Sequence, residues 1–181
     1  MDSYQEISMN KLLLNNQESE RLLFRKIEQS DFSAWLTFHK DPRTSQYWEG
    51  LPRDPKTACE QDFDRTFFRY KNNLGGKMAL VTRTTGELVG LSGLLVQEVD
   101  GLKELEIAYS LLPKYWKQGY AIEAAEQCKL HAVANNLAKS LISIIHVDNV
   151  PSQKVALRNG MKLDTSTDYH GNPVHIYRLL V

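Results

Sequence analysis

The run Tyr109-Ser110-Leu111-Leu112-Pro113-Lys114-Tyr115-Trp116-Lys117-Gln118-Gly119-Tyr120-Ala121-Ile122-Glu123-Ala124-Ala125 constrains this chain more than any other. It reads as the end of a strand, a tight basic loop closed by a glycine, and the first turns of a helix. A helix start leaves backbone N–H groups without intrahelical partners and carries the positive end of the macrodipole. Gly119 lets a bulky group approach the backbone, and Lys114 and Lys117 add positive charge beside it. The combination suits a phosphate or pyrophosphate. Strand–glycine–helix junctions also arise for structural reasons alone, so the flanking chain has to decide.

Three strand-like runs lead into this stretch. Met78 to Thr82 is the first, Thr84-Thr85-Gly86 turns into Leu88 to Val96, and Asp100-Gly101 turns into Leu105 to Leu111. In the last run Leu105, Ile107, Tyr109 and Leu111 alternate with Glu106, Ala108 and Ser110, which predicts an antiparallel meander. A helix is predicted from Gly119 to about Asn136, with Ala121, Ala125, Cys128 and Ala132 forming a face of small residues that can sit close on a sheet. Leu141 to Val147 reads as a buried strand reached by that helical crossover. Asp148-Asn149 starts a further helix, Val150 to Asn159, stopped by Gly160, and Lys162 to Asp168 with Val174 to Leu180 reads as a closing hairpin.

On the N-terminal side, Arg21 to Lys26 reads as a first strand and Ser30-Asp31 as the cap of a helix carrying Phe32, Trp35, Leu36 and Phe38. Lys56 to Asn72 carries Phe63, Phe67 and Tyr70 at helical spacing, and Asn72-Asn73-Leu74-Gly75-Gly76 ends it. Between the two helices lies an aromatic loop, Tyr47-Trp48-Glu49-Gly50, in which Trp48 either lines a pocket or folds onto the core. Residues 1–18 are polar with a few apolar positions and are expected to be an N-terminal tail or an arm docked on a single domain of 19–181.

Composition removes several function classes. Lys+Arg and Asp+Glu are both 22, so nothing global draws the chain to nucleic acid or an anionic membrane, and a cationic site has to be local. Cys59 and Cys128 match no zinc or redox spacing, and the histidines lack a close metal pair. Gly90-Leu91-Ser92-Gly93 lacks the spacing of a nucleophile elbow. Leu12-Leu13-Leu14 is too short for a signal segment or a membrane span. These features predict a reducing, cytoplasmic setting with no metal, no nucleic-acid partner and no membrane.

With these segments in order, the chain resembles the GNAT N-acetyltransferases, and within them the ribosomal-protein N-alpha-acetyltransferase branch. The resemblance rests on Leu105 to Leu111 with Pro113, Tyr115-Trp116, Gly119-Tyr120-Ala121 and Glu123-Ala124. Glu20-Arg21-Leu22-Leu23-Phe24-Arg25 with Asp31, and Asn149-Val150-Pro151-Ser152 running to Gly160-Met161-Lys162, agree with it. It implies an α+β GNAT fold: a mixed, largely antiparallel central sheet of about seven strands, flanked by helices and splayed between strands 4 and 5. It implies acetyl-CoA as cosubstrate and a primary amine as acceptor, in a monomer or homodimer.

By the same resemblance, the pantetheine arm pairs with the backbone of Ser110, Leu111 and Leu112, and the pyrophosphate sits against Lys117, Gln118, Gly119, Tyr120 and Ala121. Asn149 and Ser152 would also contact the coenzyme, Lys154 or Arg158 would approach its phosphates or simply face solvent, and Trp48 and Tyr109 would shape the acceptor pocket. The family signature often has Arg or Gln where this chain has Trp116. Many members carry a proton-donating tyrosine where this chain has Ala156.

Family logic has the amine attack the thioester directly in a ternary complex. The amine must be neutral: a free α-amine titrates near roughly 8 and a lysine near roughly 10.4, so the former needs less help. Glu106 is the candidate base, against the alternative of a solvent-facing charge on its strand. Ser152 is the candidate donor to the coenzyme thiolate, against the alternative of a residue serving only the helix's first turn. Three readings stand: transfer to a protein N-terminal α-amine, transfer to a small amine, polyamine or antibiotic, and a CoA-binding module without turnover.

Overall fold

The computed structural model describes residues 11–181. Eight strands form one sheet in the order β1-β2-β3-β4-β5-β6-β8-β7. The strands are β1 (Gln17–Glu18), β2 (Leu22–Arg25), β3 (Gly75–Thr82), β4 (Leu88–Val99), β5 (Leu102–Leu111), β6 (Ser140–His146), β7 (Lys162–Tyr169) and β8 (Asn172–Leu180). Among the described residues four α-helices accompany them: α1 (Phe32–Lys40), α2 (Pro55–Lys71), α3 (Tyr120–Ala134) and α4 (Val150–Arg158). The sheet is antiparallel except between β5 and β6. The eighth strand relative to the expected seven is the two-residue β1, so the anticipated splay lies between β5 and β6, the same two segments.

The meander is regular because its turns suit their residues. Asp100 and Gly101 both take positive φ, 49° and 77°, and close the β4–β5 hairpin with Val99 opposite Leu102. β3 begins at Gly75, which pairs with Leu95 at φ 68°, and a Cβ there would collide with the Leu94 carbonyl. The two glycines expected to end the preceding helix therefore also open the strand.

Helices cover both faces. Ser92 of β4 points to α3, where its hydroxyl lies 3.6 Å from Cys128 Sγ. Gln97, on the alternate face, is bonded by Arg69 of α2. On α3, Ala124, Ala125, Cys128 and Ala132 are buried, so the helix lies close on the sheet. On the opposite face the indole of fully buried Trp35 donates to Asp62 of α2 across 2.9 Å. Part of the expected arm belongs to this core: Leu13 and Leu14 are buried and β1 pairs with β2, while residues 1–10 lie outside the described residues. A second apolar cluster of Val99, Ile142, Ile144, Val174 and Ile176 lies apart, with Trp48 and Tyr169 packed against it.

Candidate active site

β5 and β6 pair in parallel at one position, Glu106 opposite Ile142. One residue on, the Ser143 hydroxyl reaches the Ile107 carbonyl at 2.8 Å, and from there the strands part. β6 stays ordered because β8 pairs with it along its whole length, from Ser140–Leu180 to His146–Val174. The edge of β5 from Ala108 onward therefore has no strand beside it, as an extended amide-bearing ligand requires. A groove of about 620 Å³ opens at this point. Its walls come from α2 (Asp62, Arg65, Arg69), β3 (Lys77), β4 (Gln97), β5 (Glu106 to Ser110), β6 (Ser143 to His146), the start of α4 (Asn149, Ser152), the Trp48–Leu51 loop and the β7–β8 turn.

Glu106 sits beneath α2 and is 8% exposed, so it is not a solvent-facing charge. Its Oε2 accepts from Gln97 Nε2 at 2.7 Å, and Gln97 Oε1 accepts from Arg69 Nη2 at 2.7 Å. A guanidinium only donates, so the Gln97 oxygen must face Arg69 and its nitrogen must face Glu106. Arg69 is fixed in turn by the Leu74 and Val96 carbonyls. Burial pushes the Glu106 carboxyl above the ordinary carboxylate range; Gln97, Lys77, the Ile144 amide and Arg69 pull it down and are outweighed. Asp62 goes the other way. Burial opposes its ionisation, but the charge of Lys77 and the His39 and Trp35 rings hold it below the usual range.

Two other titratable groups of the groove, His146 and Tyr109, are already engaged in hydrogen bonds. His146 Nδ1 accepts the Asp148 amide at 3.1 Å, so a neutral His146 carries its proton on Nε2 and has no lone pair there. The Tyr109 phenol, raised by burial, donates to the Ser152 carbonyl at 2.9 Å. The Ser152 amide is capped by Asn149 Oδ1 at 3.2 Å, while its hydroxyl lines the groove without a hydrogen bond among the described residues. Asn149 is thus already engaged as the cap of α4. Ala156 is buried in the core and leaves no side chain at the position where the family often has a tyrosine. Trp48 meets both of its expectations, lining the groove and packing on the second cluster. Neither cysteine can carry an acyl group: both are buried, and burial pushes each thiol up to about 12.

At the other end of the opening, the basic loop has the expected form. Lys117 and Gly119 take positive φ, 60° and 84°, and Gly119 caps α3 without a side chain. The amides from Lys117 to Ile122 have no hydrogen-bond partner among the described residues, which fits a pyrophosphate. Trp116 pins the loop by donating its indole N–H to the Leu111 carbonyl at 2.8 Å, and the Leu112 amide bonds the Val89 carbonyl. Of the three residues expected to pair with pantetheine, Leu111 and Leu112 therefore each have one backbone group already in use.

Arg21 braces the far side of the loop. Its Nη1 donates to the Gln118 carbonyl at 3.0 Å, its guanidinium lies 4.1 Å from the Tyr120 ring, and Glu123 binds its Nε at 2.7 Å. Nothing in the sequence signals this tie, because Arg21 lies about a hundred residues from its partners. Gln97, Arg69 and Lys77 were missed for a similar reason: each is an ordinary polar residue on its own element, and only the pairing of β4 with β5 under α2 brings them to Glu106.

Comparison with known proteins gives the same assignment. The description "Acetyltransferase (GNAT) domain" matches residues 21–162. An acetyltransferase from Agrobacterium tumefaciens str. C58 superposes with a TM-score of 0.76 at 25% identity, covering 91% of this chain and 94% of that one. A putative ribosomal-protein-serine acetyltransferase from Vibrio cholerae has a TM-score of 0.74 at 21% identity over 91% and 96% of the two chains. Spermidine N-acetyltransferase from Vibrio cholerae, in complex with CoA and spermine, has a TM-score of 0.68 at 13% identity over 88% and 95%. The last two likenesses are of fold alone. With its split sheet, its glycine-capped loop and a family match over most of its length, this chain belongs to the GNAT acetyltransferase family.

Proposed function

We propose that the chain transfers the acetyl group of acetyl-CoA to a primary amine by direct attack in a ternary complex, with Glu106 as general base and a protein N-terminal α-amine as the leading acceptor class. The observation that carries this reading is the buried Glu106 carboxyl, placed at the last paired residue before β5 and β6 separate. A carboxyl raised above its ordinary range is closer in affinity to an α-ammonium and accepts its proton more readily.

The neutral nitrogen then attacks the thioester carbonyl carbon, the C–S bond breaks, the nitrogen sheds a second proton to become the amide, and the departing coenzyme thiolate takes up that equivalent of proton. The free Ser152 hydroxyl is the group proposed to hydrogen-bond that sulfur. A backbone N–H at the open edge of β5, near Leu111, would polarise the thioester carbonyl. Ser110, Leu111 and Leu112 with Asn149 would hold the pantetheine, and Lys117 to Ala121 the pyrophosphate. Trp48 and Tyr109 would border the acceptor.

The solved relatives are named for both a ribosomal-protein serine and spermidine, so fold alone does not choose the acceptor. One feature argues against a polyamine: Arg65, Arg69 and Lys77 stand in the groove wall and would repel a polycation. The test is thiol release from acetyl-CoA with a panel of N-terminal peptides, polyamines and small amines. Release with peptides supports the reading, release with polyamines alone contradicts its acceptor, and coenzyme binding without release on the whole panel would favour a non-catalytic module.

A further inference from the structure

On the groove wall formed by α2 and β3, three cations, Arg65, Arg69 and Lys77, stand with one carboxylate, Asp62. The Lys77 ammonium lines the groove and makes no hydrogen bond or ion pair among the described residues. The Arg69 guanidinium is half-buried and bonded to two carbonyls and an amide oxygen, with no carboxylate in ion-pairing reach among the described residues. Arg65, on the same face of α2, stands 3.6 Å from Asp62 and is 59% exposed.

Two carboxylates face these three cations. Asp62 is held ionised and already accepts the Trp35 indole, and Glu106 becomes neutral whenever it takes a proton from the acceptor. Glu49 lies at the exposed lip, where solvent screens it as it screens the 59% exposed Arg65. The α2–β3 face is therefore net positive, and Glu106 opposite it offsets less of that charge once it has taken the acceptor's proton. Lys77 and Arg69 are kept partly out of water with no carboxylate within ion-pairing distance among the described residues, and in a ligand groove such cations complement an anionic group through charge-assisted hydrogen bonds.

We propose that the acceptor is a zwitterion: an amine whose own carboxylate is received by Lys77 and Arg65, with Arg69 behind them. The proposal rests on the acetyl-transfer reading above. It places the amine at Glu106 and the carboxylate on the α2–β3 wall, so the site selects acceptors by a second charge. Two sources share this chemistry, a peptide N-terminus followed by an acidic residue and a free dicarboxylic amino acid.

The experiment compares acceptors that differ by one charge. Peptides beginning Ser-Asp are set against Ser-Asn, and free glutamate against glutamine, with kcat/KM read from thiol release and product mass. The acidic member of at least one pair is expected to be preferred about 10-fold or more at low salt, and that pair identifies the source. Lys77→Met and Arg65→Gln are each expected to lower the preference several-fold; Arg65 is exposed, so its variant tests the idea even if the Lys77 variant folds poorly. Equal use of both members of every pair, or a preference unchanged in Arg65→Gln, would overturn the proposal while leaving acetyl transfer intact. Acetylation of no acceptor at all would overturn the acetyl-transfer reading and this proposal together.

Discussion

Replacing Glu106 by Gln separates catalysis from stability, because the same burial that makes this carboxyl a base makes its charge costly to the fold. The amide is isosteric and retains an oxygen to accept from Gln97, so packing and that hydrogen bond survive. What is lost is the proton acceptor, and general-base catalysis contributes about 10²–10⁴-fold, roughly 3–5 kcal/mol of barrier. What is gained follows from the direction of the pKa shift. A carboxyl raised in the folded state holds its proton more tightly there than in the unfolded chain. Its stabilising contribution is therefore full below the unfolded carboxylate range and is lost as pH rises through the folded value.

At pH 8 wild type thus bears the cost of an ionised buried group that the Gln variant does not. Removing a single buried charge of this kind is expected to stabilise by roughly 1–2 kcal/mol, or about 2–8 °C in Tm for a chain of this size. Thermal unfolding at pH 8 and at pH 4, paired with thiol-release rates, reads both effects, and the gain in Tm shrinks toward pH 4. Full turnover in Glu106→Gln would refute its role as base. A Tm at pH 8 below that of wild type would refute the argument from burial.

Other perturbations follow from the same geometry. Gln97→Met removes the hydrogen bond that favours the Glu106 carboxylate, so the acid limb of the pH–rate profile is expected to move to higher pH, with the loss recovered as pH rises; a uniform loss at every pH would show a merely structural effect. Gly119→Ala imposes a side chain at φ 84° with Arg21 Nη2 3.3 Å from the new Cβ, so KM for acetyl-CoA should rise while the fold loses about 1 kcal/mol. Leu14 is fully buried, and Leu14→Ala is expected to cost about 2–5 kcal/mol in chemical denaturation, whereas a loose arm would give almost nothing.

The fold was legible where local chemistry and tertiary role coincide. The period-2 run into Leu111, the Asp100-Gly101 turn, the small-residue face of α3 and the glycine-capped loop each carry their own signal and appear where expected. The start of β3 did not, because Gly75-Gly76 reads as a stop until its partner β4 is known. Leu13 and Leu14 were obscured by the polar residues around them, although their burial ties that segment to the core. At the site, Glu106 was identifiable as a carboxylate in a strand, but its burial comes from α2 lying over it. The residues that tune it, Gln97, Arg69 and Lys77, sit on three separate elements and share no spacing. Charge networks assembled across a sheet leave no periodic trace in a sequence.

The central claim is direct transfer from acetyl-CoA to an amine bound beside it in the β5–β6 opening. Initial rates measured while both substrates are varied, with intact protein mass recorded after incubation with acetyl-CoA alone, test it most directly. The two buried, high-pKa cysteines leave no thiol to carry the acyl group, so intersecting double-reciprocal lines and an unmodified protein are predicted. Parallel lines together with an acetylated protein would contradict the account.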